Sequence, residues 1–144
     1  NNSMDVNFML MPFQEILVGG TTFTSLGSQE LSLREVKNYP LISLGRETMT
    51  YKFYNSIFLS RGLDLSPDTE AATTDQILPL VKCDLGLAFL PQPMAAPSLK
   101  KKEIIQIPLK DEIPERQICL VYDSQHPIGA AARELKNTIV SGHV

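Results

Sequence analysis

The sequence predicts an α/β domain with a mostly parallel sheet. Three observations carry this: short apolar runs of strand length alternate with segments of helical periodicity, capping residues follow the runs directly, and Gly or Pro falls between elements. Residues 6 to 19 read as extended, with Phe8, Met9, Leu10 and Met11 interrupted by Pro12, then Ile16, Leu17 and Val18 leading to Gly19-Gly20. Pro12 argues against one long central strand. Residues 21 to 31, rich in Thr, Ser and Gly, read as a loop, and Ser32-Leu33-Arg34-Glu35 is a capping box that opens a short helix ended before Pro40. Leu41 to Leu44 is a short buried strand. Met49, Phe53, Tyr54, Ile57 and Phe58 then share one helical face, so residues 48 to 61 form a helix stopped by Gly62.

After Pro67, Thr69 to Ala72 reads as a strand, and Thr73 with Gln76 reads as a second capping box before Ile77, Leu78 and Val81. Pro79 lies past the first turn expected there and predicts a kink. Leu85 to Leu90 is an apolar run bounded by Asp84 and Pro91, hence a buried strand. Ile104 to Ile107 and Ile118 to Tyr122 are two further strands, separated by the charged turn Lys110-Asp111-Glu112. Ile128, Ala131, Ala132, Leu135 and Ile139 mark a final amphipathic helix.

The 144 residues, 43% hydrophobic and 20% charged with net charge −3, suffice for one core without a disulfide or metal staple. Cys83 and Cys119 lie in apolar stretches, where a free thiol packs as a small hydrophobe; a redox pair is the alternative. A reducing, cytoplasmic setting fits the first reading. No apolar run approaches the roughly 20 residues that cross a bilayer, and no signal peptide is visible, so no membrane partner is expected. The mildly acidic balance argues against direct nucleic-acid binding by this chain. The sequence starts Asn-Asn-Ser without a methionine and has no basic residue before Arg34, which suggests a start inside a longer domain.

Residues that usually carry catalysis are sparse. His126 precedes a proline and His143 lies one residue from the end; there is no Gly-x-Ser-x-Gly elbow, no zinc spacing and no glycine-rich phosphate loop. An enzyme is not expected, and no motif calls for a cofactor. Lys100-Lys101-Lys102, followed by Glu103, reads as a solvated face. What remains is a pair of helix starts after strands: Ser43 through Thr48, and Ala72 through Thr74. In open α/β sheets ligands bind beyond the strand ends, and helix amino termini there favour anions. The alternative is that Thr48, Thr73 and Thr74 only cap their helices.

Ser32-Leu33-Arg34-Glu35-Val36, Tyr39-Pro40-Leu41-Ile42, Arg61-Gly62-Leu63, and Val81 with Leu85-Gly86-Leu87-Ala88-Phe89-Leu90-Pro91 occur in an order that resembles the effector-binding domain of LysR-type transcriptional regulators. His126 to Arg133 resembles the same family, with Gly129 in place of the usual serine, and Cys83 stands where a small residue is usual. The resemblance covers roughly residues 8 to 140. It implies a periplasmic-binding-protein-like (type 2) fold whose Rossmann-like lobes are joined by crossing strands. Residues 1–20 would hold a crossing strand and a remnant of the first lobe, 21–115 the second lobe, and 116–144 the returning strand and a helix of the first lobe. The second lobe's share of the effector cleft maps onto Ile42, Ser43, Thr48, Ala72, Thr73 and Thr74. The implied partner is a small, anionic effector. DNA would be bound only through a winged helix-turn-helix absent from the chain, and self-association is expected through the last helix or an exposed edge. A lobe of a solute-binding protein for transport is the alternative function.

Overall fold

The computed structural model describes residues 6–123, and the expected last helix, with His126 and His143, lies outside the described residues. The chain divides into two compact units. One joins the two ends: strand β1 (Val6–Phe13) pairs antiparallel with β7 (Arg116–Asp123), Val6 opposite Asp123 and Phe13 opposite Arg116. Every strand of a two-stranded ladder is an edge, which is why Pro12 is tolerated inside β1. Phe8 and Leu10 of β1 are 68% and 53% exposed.

The second unit, Glu15–Pro114, is built on β2 (Glu15–Gly20). This strand is buried along its whole length and lies between β5 (Ala88–Pro91) and β6 (Ile104–Ile107), antiparallel to both. Because side chains alternate across a strand, Leu17 faces one hydrophobic cluster with Phe53, Tyr54, Phe58 and Phe89, whereas Ile16 and Val18 face another with Ile42, Leu44, Ile77 and Val81. Apolar groups cover both faces, as in α/β folds. The parallel character sits beside this layer. Strands β3 (Ile42–Leu44) and β4 (Thr69–Ala71) are parallel, with Leu44 opposite Ala71, and isolated parallel bridges join Leu41 to Leu87 and Leu31 to Leu109. The sheets are therefore mixed. Helix α2 (Met49–Leu59) supplies the crossover that two parallel strands require.

Local signals decide several boundaries. The box at Ser32 forms as read: Ser32 Oγ accepts from the Glu35 amide at 3.1 Å and the Glu35 carboxylate accepts from the Ser32 amide at 2.8 Å, opening α1 (Leu33–Val36). Helix α2 starts at its Thr48 cap, and Gly62 takes the left-handed φ of +73° after its end. Gly20 is fixed by close approach, since a Cβ there would meet Asp84 Oδ1 and lie 2.6 Å from the Val81 carbonyl oxygen.

Several expectations are corrected. The box at Thr73 does not form, because Thr74–Gln76 winds as a 3₁₀ turn in which the Gln76 amide already donates to the Thr73 carbonyl at 3.1 Å; Gln76 Oε1 accepts instead from the Ala72 amide. Helix α3 (Ile77–Lys82) begins after that turn, which places Pro79 in its first turn rather than at a kink. Cys83 is exposed: it lies two residues past buried Val81, about 200° around the helix. Leu85 is 46% exposed, and the strand begins only at Ala88. Residues 21–28 form a 3₁₀ segment, and Gln92–Lys100 form a helix, α4, with no counterpart in the sequence reading. The three lysines at 100–102 are exposed, as expected.

Candidate functional site

Strands β3 and β4 end side by side, and the two candidate stretches leave from those ends: Gly45 to Thr48 after Leu44, and Ala72 to Thr74 after Ala71. Adjacent parallel strands releasing their chains at one edge create the concavity in which α/β domains hold ligands. Ile42 and Ser43 line a recess there, together with Thr50, Tyr54, Ile77 and Phe89. Its volume, about 10 Å³, is room for about one water. The recess can seat the edge of a ligand and not a whole metabolite.

Ser43 is buried, and its hydroxyl donates to the Leu44 carbonyl at 2.9 Å. Thr48 acts as a cap with both capacities used: Oγ1 accepts from the Tyr51 amide at 3.1 Å and donates to the Gly45 carbonyl at 2.7 Å. Ala72 and Thr73 are exposed and Thr74 is half-buried; none of the three lines the recess. The structure thus brings Ile42 and Ser43 into the recess and leaves Thr48, Ala72, Thr73 and Thr74 on the loops beside it.

Thr50, Tyr54 and Phe89 escaped the sequence reading. Tyr54 and Phe89 were legible only as core, because their apolar spacing hides the Tyr54 hydroxyl, which donates to the carboxylate of buried Glu15. Their rings stack at 5.0 Å and floor the recess. Thr50, two residues past the cap, offers a hydroxyl that makes no hydrogen bond among the described residues. Its position in the first turn of a helix after a strand is the signal that could have found it.

Electrostatics distinguish the two loops. The first turn of α2 carries no acidic residue, and Arg46 precedes it, stacked 5.5 Å from the Tyr51 ring centroid and donating to the Tyr51 hydroxyl at 2.9 Å. The turn at Thr74 is one 3₁₀ turn with Asp75 inside it. Glu47, whose carboxylate lies over Gly45, offsets Arg46, so what distinguishes the α2 side is the longer helix behind its amino terminus. Among the described residues no three of His, Cys, Asp or Glu come together to hold a metal ion, and no helix is long and apolar enough to cross a membrane.

A periplasmic-binding-protein-like arrangement of this kind, α/β with one buried strand antiparallel to its neighbours, is the frame of ligand-sensing domains. The model of the LysR substrate binding domain matches residues 20–142, and the chain belongs to that family. No curated protein matches the sequence. Among solved structures the fold is similar to the CcmR regulatory domain of Synechocystis PCC6803 in complex with 2-PG, with a TM-score of 0.67 at 11% identity over 96% of this chain and 71% of that one. It is similar also to the effector binding domain of QuiR in complex with shikimate, with a TM-score of 0.64 at 16% identity over 90% of this chain and 61% of the other. The regulatory domain of MetR from N. meningitidis gives a TM-score of 0.62 at 13% identity, over 90% of this chain and 60% of that one. At such identities the likeness is one of fold, and the chain spans about three-fifths of the last two domains. None of these comparisons supports the transport reading.

Proposed function

We propose that this chain is effector-sensing material of a LysR-type transcriptional regulator, with Glu15–Pro114 as the second lobe and β1 and β7 as the crossing strands. The observation that carries the proposal is the pair of loops leaving adjacent parallel strand ends beside a recess floored by Tyr54 and Phe89. The amides of Thr73 and Thr74 and the free Thr50 hydroxyl, with Ile42 and Ser43 in the recess and Thr48 and Ala72 on the loops beside it, form the wall that a small organic anion contacts; the Thr48 and Ala72 amides are spent on the Gly45 carbonyl and on Gln76 Oε1 and shape the loops. The recess takes an edge of that ligand. A ligand that contacts this wall in one lobe arrangement and not in another shifts the population of the two. Such binding of metabolites by domains of this fold is known from the complexes with 2-PG and shikimate.

DNA recognition, on this reading, belongs to a winged helix-turn-helix outside these residues, and the setting is cytoplasmic. Self-association uses the exposed apolar side chains of β1, Phe8 and Leu10. The experiment is a titration of the 144-residue chain with a panel of small carboxylates and phosphorylated metabolites, followed by proton–nitrogen correlation spectra. At least one compound is expected to move the amides of 43–50 and 72–74 with millimolar affinity, since one wall buries only part of a ligand. A panel that leaves those amides still overturns the assignment, and calorimetric micromolar binding overturns the single-wall reading.

A further inference from the structure

A second recess, of about 230 Å³, lies apart from the strand ends and is lined by Ser32, Leu33, Arg34, Arg61, Leu63 and Asp111. We propose that it binds a small oxyanion of the phosphate or carboxylate class, held between Arg34 and Arg61. Three observations support this, and none depends on the effector cleft.

First, Arg61 is oriented before any ligand arrives. Its Nε donates to Asp111 Oδ2 at 2.8 Å and its Nη1 donates to Ser60 Oγ at 3.0 Å, so the chain holds the guanidinium plane while Nη2 makes no hydrogen bond among the described residues. With Nε and Nη1 engaged on opposite sides of the plane, Nη2 is the donor left to meet an oxyanion, and its direction is already set. Second, Asp111 does not compete for the site. Its Oδ1 accepts from the Leu33 amide at 2.9 Å and its Oδ2 from Arg61, so both oxygens are engaged. Third, Arg34 makes no ion pair among the described residues, which leaves two guanidinium groups facing one satisfied carboxylate. The next charges along the chain are Glu35, Asp64, Lys110 and Glu112: Glu35 and Lys110 face each other at 3.9 Å, Asp64 pairs with Lys37 at 3.3 Å, and Glu112 is exposed. The attraction comes from side chains, since the amides of Ser32, Leu33 and Glu35 are already bonded within the protein. Half-buried Leu63 adds an apolar contact, which suits an anion carried on a small organic frame.

The test is a titration of the 144-residue chain with sodium phosphate and, in parallel, sodium succinate, each against sodium chloride of equal ionic strength. The readout is the backbone amides of 32–35, 61–63 and 111 together with the Arg61 Nε–H signal. Saturable shifts with a midpoint on the order of millimolar are expected for one or both oxyanions, because exposed pairs are individually weak. Saturation by phosphate alone points to phosphate esters, by succinate alone to carboxylates, and by both to oxyanions in general; each supports the site. Arg34→Gln, an exposed change that leaves the rest of the spectrum in place, weakens the midpoint about fivefold. Arg61→Lys, which keeps a cation beside Asp111 but loses the fork, also weakens it. Shifts that match chloride or rise linearly without saturating overturn the proposal, as does Arg34→Gln binding with the parent midpoint.

Discussion

Replacing Thr48 with alanine removes one hydroxyl that makes two hydrogen bonds, one accepted from Tyr51 and one donated to Gly45. Loss of a threonine cap typically costs about 1 kcal/mol, within a range of about 0.5–2. Here the Gly45 carbonyl also loses one of its two donors, keeping the Thr48 amide at 3.0 Å, while half-exposure of Thr48 lets water replace part of the loss, so about 1–1.5 kcal/mol is expected. With a urea m-value of about 2 kcal/mol/M for a chain of this size, the midpoint falls by about 0.6 M. Thr48→Ser, which keeps the oxygen, restores most of that shift. Urea unfolding followed by far-ultraviolet circular dichroism reads both variants. A Thr48→Ala midpoint within about 0.2 M of the parent, or a serine variant as weak as the alanine one, refutes the capping argument. The same geometry bears on the proposed function: the Thr48 hydroxyl proton and the Thr48 amide both go to the Gly45 carbonyl, at 2.7 and 3.0 Å, so Thr48 has no donor left for an anion.

Three further outcomes follow from buried or charged contacts. Tyr54→Phe keeps the stack on Phe89 but strips the hydrogen bond from buried Glu15, and a loss of about 1.5–3 kcal/mol in the same assay is expected; under about 0.5 kcal/mol, the bond carries no weight. Gly20→Ala forces a Cβ onto Asp84 and the Val81 carbonyl and costs about 1–3 kcal/mol. Gly27→Ala, whose Cβ finds nothing nearer than 3.6 Å, stays within about 0.5 kcal/mol, and equal costs for the two would sink the close-approach reading. For Asp111, burial pushes its pKa up, but hydrogen bonds from Arg61 and the Leu33 amide outweigh it and hold the carboxyl below its ordinary value. A depressed folded-state value means stabilisation present above the unfolded value and lost as pH falls, here below about pH 4. Asp111→Asn keeps the acceptor for Leu33 and removes the charge, so the parent's advantage, under about 1 kcal/mol at neutral pH, fades in acid. An advantage that persists at pH 2 contradicts this.

The fold was legible where the signal is local. Ser32 with Glu35, Thr48 before an apolar helical face and Gly62 after it each correspond to a bond or a φ in the structure. Legibility failed where a local rule met a tighter or longer-range constraint. Thr73 and Gln76 satisfy the spacing of a capping box, but a 3₁₀ turn uses the Gln76 amide for the backbone. Pro93 and Pro97 hid α4, although Pro93 falls in its first turn, where a missing N–H costs nothing. The antiparallel placement of β2 depends on which strands it meets far along the chain, and no window of sequence contains that. At the candidate site the strand ends and their hydroxyls were readable. Tyr54 and Thr50 were not, because only the packing of α2 against β3 turns them toward the recess.

Strand β2 has a consequence for how the second unit comes apart. Its odd and even side chains belong to different hydrophobic clusters, so neither cluster can open while the strand stays in place on the other. The layers are then one cooperative foldon, and the slowest hydrogen exchange belongs to the amides that bond β2 to β5 and β6, with exchange there reporting global unfolding. Loops at the ends of β3 and β4 exchange by local fluctuation without disturbing that strand. The chain can thus let the ends of β3 and β4 breathe on a keel that does not.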